Sequence, residues 1–578
     1  MAFQLSPGVN VSEIDLTTIV PAVGTTEGAF VGNFNWGPLE EIRTISSEVE
    51  LVDTFGKPDN NNFTDFFTAA NFLAYARNLK VVRAASTSLA KNAAGGPGTT
   101  VPILIKNSDD YLTNYINMEA ANTAGMFAAK YPGDLGNSLK VSIYADTAYK
   151  SRANWNAAAW TYAEQFNGAP NTSVFAAAVN GVGDEMHVIV IDEDGKFTGT
   201  ANSVLEKFAY VSKASDAITS DGYSYYYVNV INERSKYVYI VNHALDGDQL
   251  ADASEWGLTA TGTTFTQGEN EYTFSLTGGT IGAVSDANRI TAYDKFSNAE
   301  EVDISLVVTG GANLSVVQHC IDNLAEYRKD CVVFCSPTRA NVVSVGVGEA
   351  SNNVISYRNA MNRSTSYAVM DSTWKYQFDK YNNVYRWVPM NGDIAGLCVR
   401  TDFERDPWFS PAGFNRGQIK NVVRLSYNPD KTDRDELYKN GINPIVTFRG
   451  EGTVLYGDKT MLTRPSAFDR INVRRLFIVL EKAIARAAKY SLFEFNDEFT
   501  RAQFVALIEP YLRDVQGRRG IYDFRVVCDE TNNTPEVIDR NEFIGDIYIK
   551  PARSINFIQL NFVAVRTGVA FEEVVGKF

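Results

Sequence analysis

The chain has 578 residues, 45% of them hydrophobic and 12% aromatic, which is enough to bury several cores and too apolar for a disordered chain or a short scaffold. Lys and Arg number 53 against 68 Asp and Glu, a net charge of −15 that repels phosphate backbones and excludes general nucleic-acid binding. Runs such as Cys331-Val332-Val333-Phe334-Cys335 fall far short of the roughly 20 apolar residues of a membrane span, and Met1 to Gly8 lack the basic and apolar regions of a signal peptide.

Residues 1–20 read as an extended arm: Phe3, Leu5, Val9 and Val11 share one parity, while Pro7 and Gly8 suit only an edge strand or a bend. From 21 to 90 the pattern is α/β, with a helix over Thr64–Asn78 leading into a strand over Lys80–Ala84. A break at Gly95-Gly96-Pro97-Gly98 opens a strand- and turn-rich stretch to about 299. Two hairpins are expected there. One runs from His187–Ile191 through Asp192-Glu193-Asp194-Gly195 to Lys196-Phe197, and the other joins Tyr223–Ile231 to Lys236–Val241. The α/β pattern resumes over 300–430, with strands Val302–Val308, Cys331–Cys335 and Tyr367–Met370 and helices Leu314–Arg328 and Ala350–Met361.

A C-terminal unit is expected over 431–553. Asp433 with Glu436 predicts a capped helix to Lys439, followed by long helices Val473–Ser491 and Thr500–Asp514 and strands Tyr522–Cys528 and Asp546–Ile549. Residues 554–578 form a last strand or arm. In Ser554–Val565, Ile555 and Phe557 share one parity and Ile558, Leu560 and Phe562 the other, which predicts a bulge near Phe557. So long an apolar strand near a chain end is either internal to the C-terminal sheet or exchanged between copies. The predicted fold class is thus multidomain α+β and α/β: a discontinuous α/β core (21–90 and 300–430), an inserted mostly-β domain (91–299) and a C-terminal α+β domain.

Sites for chemistry are scarce. Only His187, His243 and His319 are available as general bases or ligands. Cys331 and Cys335 sit on a strand pattern, where four residues span about 13 Å, too far for two ligands each about 2.3 Å from one zinc. The five cysteines read as free thiols of a reducing compartment. Gly452 to Thr460 imitates a phosphate loop, but Asp458 shifts Lys459 out of register and no helix pattern follows. Asp192-Glu193-Asp194-Gly195 lacks the spaced ligands of a calcium loop. No catalytic residue, metal site or cofactor is expected.

One segment stands out against the acidic background. On a helical wheel of Ile471–Tyr490, Arg475, Lys482, Arg486 and Lys489 fall within about 60° of one another, opposite Leu476, Phe477, Leu480, Ala483, Ile484, Ala487 and Ala488. The segment has five basic residues and one acid, Glu481. This is either a solvated face or a docking surface for an acidic partner.

In this order, several strings are specific: Leu5-Ser-Pro-Gly-Val9, Phe34-x-Trp-Gly-Pro38, Leu79-Lys-Val-Val-Arg-Ala84, Tyr131-Pro-Gly-Asp-x-Gly-Asn137, Asp393-Ile-Ala-Gly-Leu-Cys-x-Arg-Thr-Asp402, Ser410-Pro-Ala-Gly-x-Asn-Arg-Gly-Gln418, Leu455-Tyr-Gly-Asp-Lys-Thr460, Phe468-Asp-Arg-Ile-Asn-Val-Arg-Arg-Leu476, Asp539-Arg-Asn-Glu-Phe543 and Pro551-Ala-Arg-Ser-Ile-Asn556. The chain resembles the tail sheath proteins of contractile-tailed bacteriophages, of the larger T-even-like type. Only about forty-five residues separate Ala85 from Tyr131, implying a reduced peripheral domain.

The resemblance implies a structural, non-enzymatic virion protein, assembled in the host cytoplasm as stacked hexameric rings around a tail tube. It implies contraction that drives the tube through the host envelope, an innermost C-terminal domain, and terminal arms that add strands to neighbouring subunits. Its partners would be itself, the tail tube protein, and baseplate and tail terminator proteins, with no nucleic acid and no membrane insertion. In that scheme the basic stripe would face the tube, and both termini would supply inter-subunit strands. A second reading, a glycan- or receptor-binding β-rich virion protein, rests on the Tyr-rich hairpins and on Trp155, Trp160 and Trp256.

Overall fold

A computed structural model describes residues 24–96, 101–116, 125–145, 155, 160–243, 255–265 and 271–560. Phe3, Leu5, Val9, Val11 and Phe562 lie outside the described residues. The chain forms two compact units, the larger comprising Pro21–Pro407 with Pro411–Arg486.

The larger unit is built on a seven-stranded sheet. In spatial order its strands are Ile442–Asn443, Ala368–Asp371, Val332–Cys335, Leu306–Val308, Gly28–Gly32, Leu79–Arg83 and Ile42–Ile45. Every neighbouring pair is parallel except the last, where Ile42–Ile45 runs antiparallel to Leu79–Arg83. The central strands are unbroken apolar runs because both of their faces are buried, as parallel sheets require. The helix Asn391–Glu404 crosses the helix Phe63–Leu73 at close range. A Cβ on Gly392 would lie 2.4 Å from the Thr68 carbonyl oxygen, and one on Gly396 2.6 Å from the Tyr75 ring.

Between Leu79–Arg83 and Leu306–Val308 the chain builds two antiparallel sheets. One has four strands in the order Glu271–Ser275, Leu139–Tyr144, Glu185–Asp192 and Ser203–Ser212; the other has three, Ala94–Gly95, Phe127–Ala129 and Val238–Ile240. Arg83, fully buried, ties this region to the central sheet. Its guanidinium donates to the carbonyl oxygens of Phe34 (2.8 Å), Gly37 (2.7 Å) and Pro132 (2.8 Å). Three of the quoted motifs therefore meet at one side chain. Burial lowers the Arg83 pKa to about 9.

Several sequence expectations are corrected here. Tyr223–Ile231 is not a strand: Tyr227–Arg234 is a helix whose β-branched Val228, Val230 and Ile231 are buried with Tyr227, so packing overrides strand propensity. The expected hairpin partner of His187–Ile191 is displaced from Lys196-Phe197 to Ser203–Ser212. The Asp192 carboxylate organises the longer turn by accepting from the Phe197 and Thr198 amides (3.0 and 2.7 Å). The helix expected from Asp433 begins one turn earlier, at Lys431, with Asp430 as cap and Asp433 completing a capping box. The C-terminal unit does not begin at 431. Ile442–Asn443 is an edge strand of the central sheet, and the larger unit runs on to Arg486.

The smaller unit, among the described residues, comprises Trp408–Ser410 and 487–560. Its helix Glu498–Gly517 is capped by Asp497, and an antiparallel hairpin pairs Ile521–Val527 with Asp546–Pro551. Phe504 packs edge-on against Phe543, and the Trp408 indole donates to the Arg518 carbonyl oxygen at 3.1 Å.

Candidate assembly surfaces

The basic stripe lies on the helix Ile471–Ala488 and the 3-10 turn Lys489–Ser491 that continues it. Its four residues have different fates. Arg475 is buried and chelates Asp402 through two hydrogen bonds of 2.7 and 2.6 Å. Burial opposes its charge, but the Asp402 carboxylate outweighs burial and the net shift of its pKa is upward. Lys482 donates to Asp303 (2.8 Å), to the Ile304 carbonyl oxygen (2.7 Å) and to the Ser305 hydroxyl (3.2 Å). Arg486 is about half exposed and lies 3.7 Å from Asp303. Lys489 is exposed and has no ion pair among the described residues.

The expectation that all four face an acidic partner is therefore corrected for Arg475 and Lys482, which are committed to Asp402 and Asp303 of their own unit. Those acids lie 73 and 179 residues away in the chain, so wheel geometry alone cannot reveal them. Arg474, a fifth cation, is held between the rings of Tyr367 (4.2 Å) and Phe468 (4.1 Å).

The second surface is in the smaller unit. Its hairpin is two-stranded, so each strand has one edge without a partner strand among the described residues. After Pro551 the chain continues to residue 560 outside any strand. Ile555, Phe557, Ile558 and Leu560 are 72–85% exposed. The strand expected over Ser554–Val565 is thus not formed across its described part, because a strand needs a ladder partner and the described residues supply none. Four neighbouring large apolar side chains in water, in the segment that follows an open-edged hairpin, make this stretch a candidate interaction site.

The remaining candidates are interior. All five cysteines are buried, with the Cys331 and Cys398 thiols pushed up to about 12 by burial. Gly452–Leu455 is one arm of a hairpin with Ile445–Phe448, and the Asn443 side chain binds the Lys459 amide at 2.7 Å. No group of three His, Cys, Asp or Glu among the described residues is arranged to hold a metal. Trp155, Trp160 and Trp256 are buried, so they form no stacking platform for a sugar.

Sequence reasoning missed a buried polar cluster in the larger unit. Lys375 pairs with Asp393 at 2.8 Å, and Tyr75 adds a 3.3 Å hydrogen bond to the same carboxylate. Asp371 accepts from the Ser336 hydroxyl and the Thr373 amide, yet burial raises its carboxyl to about 8. These groups are enclosed, and all but one Asp393 carboxylate oxygen, which is buried without a hydrogen-bond partner among the described residues, are engaged within the two sets, an arrangement suited to holding strands in register.

Three family descriptions match the chain in order. The tail sheath protein Gp18 domain III N-terminal region covers residues 28–84, the phage tail sheath protein central domain 282–461, and the phage tail sheath C-terminal domain 463–564. The tail sheath protein of Vibrio phage KVP40 is 36% identical over 670 residues, covering 99% of this chain and all of that protein. That of Enterobacteria phage T4 is 34% identical over 684 residues, covering 99% of each. Both alignments are longer than this chain, so those relatives carry residues with no counterpart here. In fold, the chain is similar to the crystal structure of a sheath tail protein from Listeria innocua, with a TM-score of 0.51 at 12% identity over 92% of this chain and 96% of that one.

Proposed function

This chain belongs to the phage tail sheath protein family, and from that premise we propose that it polymerises as stacked hexameric rings around a tail tube and contracts to drive the tube through the host envelope. It acts in the virion tail as a structural subunit without catalytic chemistry, after assembly in the host cytoplasm. Its partners are further copies of itself, the baseplate, the tail tube and the terminator that caps the tail. The sheets between residues 94 and 275 form an inserted outer domain, smaller than in the longer relatives.

What carries this reading is the exposed run Ile555, Phe557, Ile558 and Leu560, which follows a two-stranded hairpin with open edges. Residues 554–578 of one subunit, and 1–20 of another, add strands to that hairpin in a neighbour. Each added backbone hydrogen bond contributes about 0.5–1.5 kcal/mol net, together with burial of the apolar side chains. A connected mesh follows, able to survive contraction if hinges beside the paired strands take up the rotation. Arg486 and Lys489, at the end of the basic helix, make weaker, wet contacts to the tube that can break as the sheath moves.

Negative-stain microscopy of the purified protein tests the reading. Hollow cylinders are expected, and deletion of residues 1–15 is expected to abolish them while leaving a folded monomer. Discrete particles from the intact chain would favour the receptor-binding alternative, and normal cylinders from the truncated chain would remove the mesh.

A further inference from the structure

The three-stranded sheet of the larger unit, in the order Val384–Pro389, Trp374–Asp379 and Arg424–Leu425, has one face lined by aromatic rings. Tyr376 lies directly opposite Trp387, and Phe378 opposite Tyr385. The rings form a continuous platform, with centroids 4.7 Å apart for Tyr376 and Trp387, 5.4 Å for Tyr376 and Tyr385, and 5.2 Å for Phe378 and Tyr385. Phe378 and Tyr385 are 45% and 52% exposed, where a monomer gains nothing from aromatic area.

Arg424 lies over this platform, its guanidinium 4.9 Å from the Tyr376 ring and 5.3 Å from the Trp387 ring. It is exposed, and its side chain has no carboxylate partner among the described residues. A guanidinium over two rings covers part of those faces against a sugar and keeps N–H donors for a further partner. Those donors suit a carboxylate, and the uncovered rings beside them suit apolar side chains.

The chain carries a segment of that chemistry. Tyr490 to Phe499, between the two long helices, contains Glu494, Asp497 and Glu498 and no Lys or Arg. Leu492, Phe493, Phe495 and Phe499 are 61–106% exposed, and Phe493 is held at φ +70°, a conformation that costs an aromatic residue energy while leaving its ring in water. Asp497 is occupied in capping the following helix, whereas Glu494 and Glu498 have no ion pair among the described residues.

We propose that the aromatic sheet face with Arg424 is a docking site for the acidic, phenylalanine-rich segment 490–499 of a second copy, with Glu494 or Glu498 meeting the Arg424 guanidinium and Phe493 and Phe495 covering Phe378 and Tyr385. The contact is between different molecules. Two unlike complementary patches on one chain make a head-to-tail interface, the type that propagates open helical polymers. The inference rests on the sheath reading for its occupant, because only a polymer of this chain supplies the partner segment at equal concentration.

The test mixes a Tyr385→Cys variant with a Phe495→Cys variant under polymerising conditions, adds a flexible bismaleimide, and counts cross-linked dimers on a denaturing gel. The native cysteines are all buried and give little background. The mixture is expected to yield at least tenfold more dimer than either variant alone. Arg424→Glu in the first chain is expected to abolish the dimer, and Glu494→Arg with Glu498→Arg in the second to restore it. Melting curves of the variants, all at exposed positions, verify folding. Cylinders without cross-linking, or cross-linking indifferent to both charge changes, overturns the docking and leaves the sheath reading standing. Charge-dependent cross-linking without cylinders upholds the docking and removes the sheath reading. Cylinders in which the platform thiol is shielded from a soluble maleimide but forms no dimer assign the face to another occupant and overturn the proposal.

Discussion

Arg475 holds both carboxylate oxygens of Asp402, at 2.7 and 2.6 Å, with each side chain only 4% exposed. A cation on the basic face of a helix thus ties that helix to the end of the helix Asn391–Glu404.

Removing one partner of such a pair leaves the other charge buried and uncompensated. Arg475→Ala is expected to cost about 3–5 kcal/mol, read as a large drop in melting temperature. Arg475→Lys recovers only part of it, since one ammonium cannot match two oxygens at once. Lys489→Glu, at the exposed end of the same stripe, is expected to leave melting unchanged while weakening binding to tubes, and less so at high salt. A stable Arg475→Ala protein with impaired tube binding would reverse the two assignments.

The carboxyl of Asp371 titrates near 8 in the folded chain against an ordinary 3.8. The folded state therefore keeps this proton between about pH 4 and 8, where the unfolded chain has lost it. The group's contribution is full below about pH 4 and shrinks as pH rises through about 8. Between pH 6 and 8 the loss is at most about 3 kcal/mol. In Asp371→Asn, denaturant midpoints at those two values are expected to differ less than in the natural protein. Equal differences in the two proteins would count against a protonated Asp371.

His187 shifts the other way. Burial holds its pKa at about 4 against an ordinary 6.5, and its Nδ1 accepts from the Tyr210 amide at 3.0 Å while Nε2 faces the Gly168 carbonyl oxygen at 2.9 Å. The neutral, Nε2-protonated ring fits both partners. Its stabilising contribution is present above about pH 6.5 and is lost as pH falls towards 4. Trp155 and Trp160 lie 5.7 and 6.3 Å from this ring, so tryptophan emission is expected to hold steady from pH 8 to about 5 and to change near 4. A transition centred near 6.5 would mean that His187 is solvated.

Aspartates at Phe557 and Leu560 are expected to abolish polymerisation without moving the melting temperature, since both side chains already lie in water in the isolated chain. A fall in monomer stability would show that the segment folds against its own subunit.

The central sheet was readable because its strands are buried on both faces and so appear as unbroken runs such as Val332-Val333-Phe334. The helix Tyr227–Arg234 was not, since Val228, Val230 and Ile231 favour strands locally and only their packing in the surrounding core makes them helical. The same limit applies to the basic stripe: four cations on one face were legible, but Asp303 and Asp402 arrive from distant segments. The Arg83 junction escaped for a related reason, because its partners are backbone carbonyls of Phe34, Gly37 and Pro132, which carry no residue-type signal. The aromatic face of Tyr376, Phe378, Tyr385 and Trp387 alternates as a strand should, yet sequence alone does not say that this side faces water.

The central claim is that copies are joined by strands exchanged at the C-terminal hairpin. Electron cryo-microscopy of the assembled polymer, at a resolution that traces backbone, measures it directly. The account predicts that residues 554–560 of one subunit, and the N-terminal arm of another, lie as added strands against the sheet of Ile521–Val527 and Asp546–Pro551 in a neighbour. A polymer in which those residues fold onto their own subunit, with the hairpin edges bare or covered by another element, would contradict it.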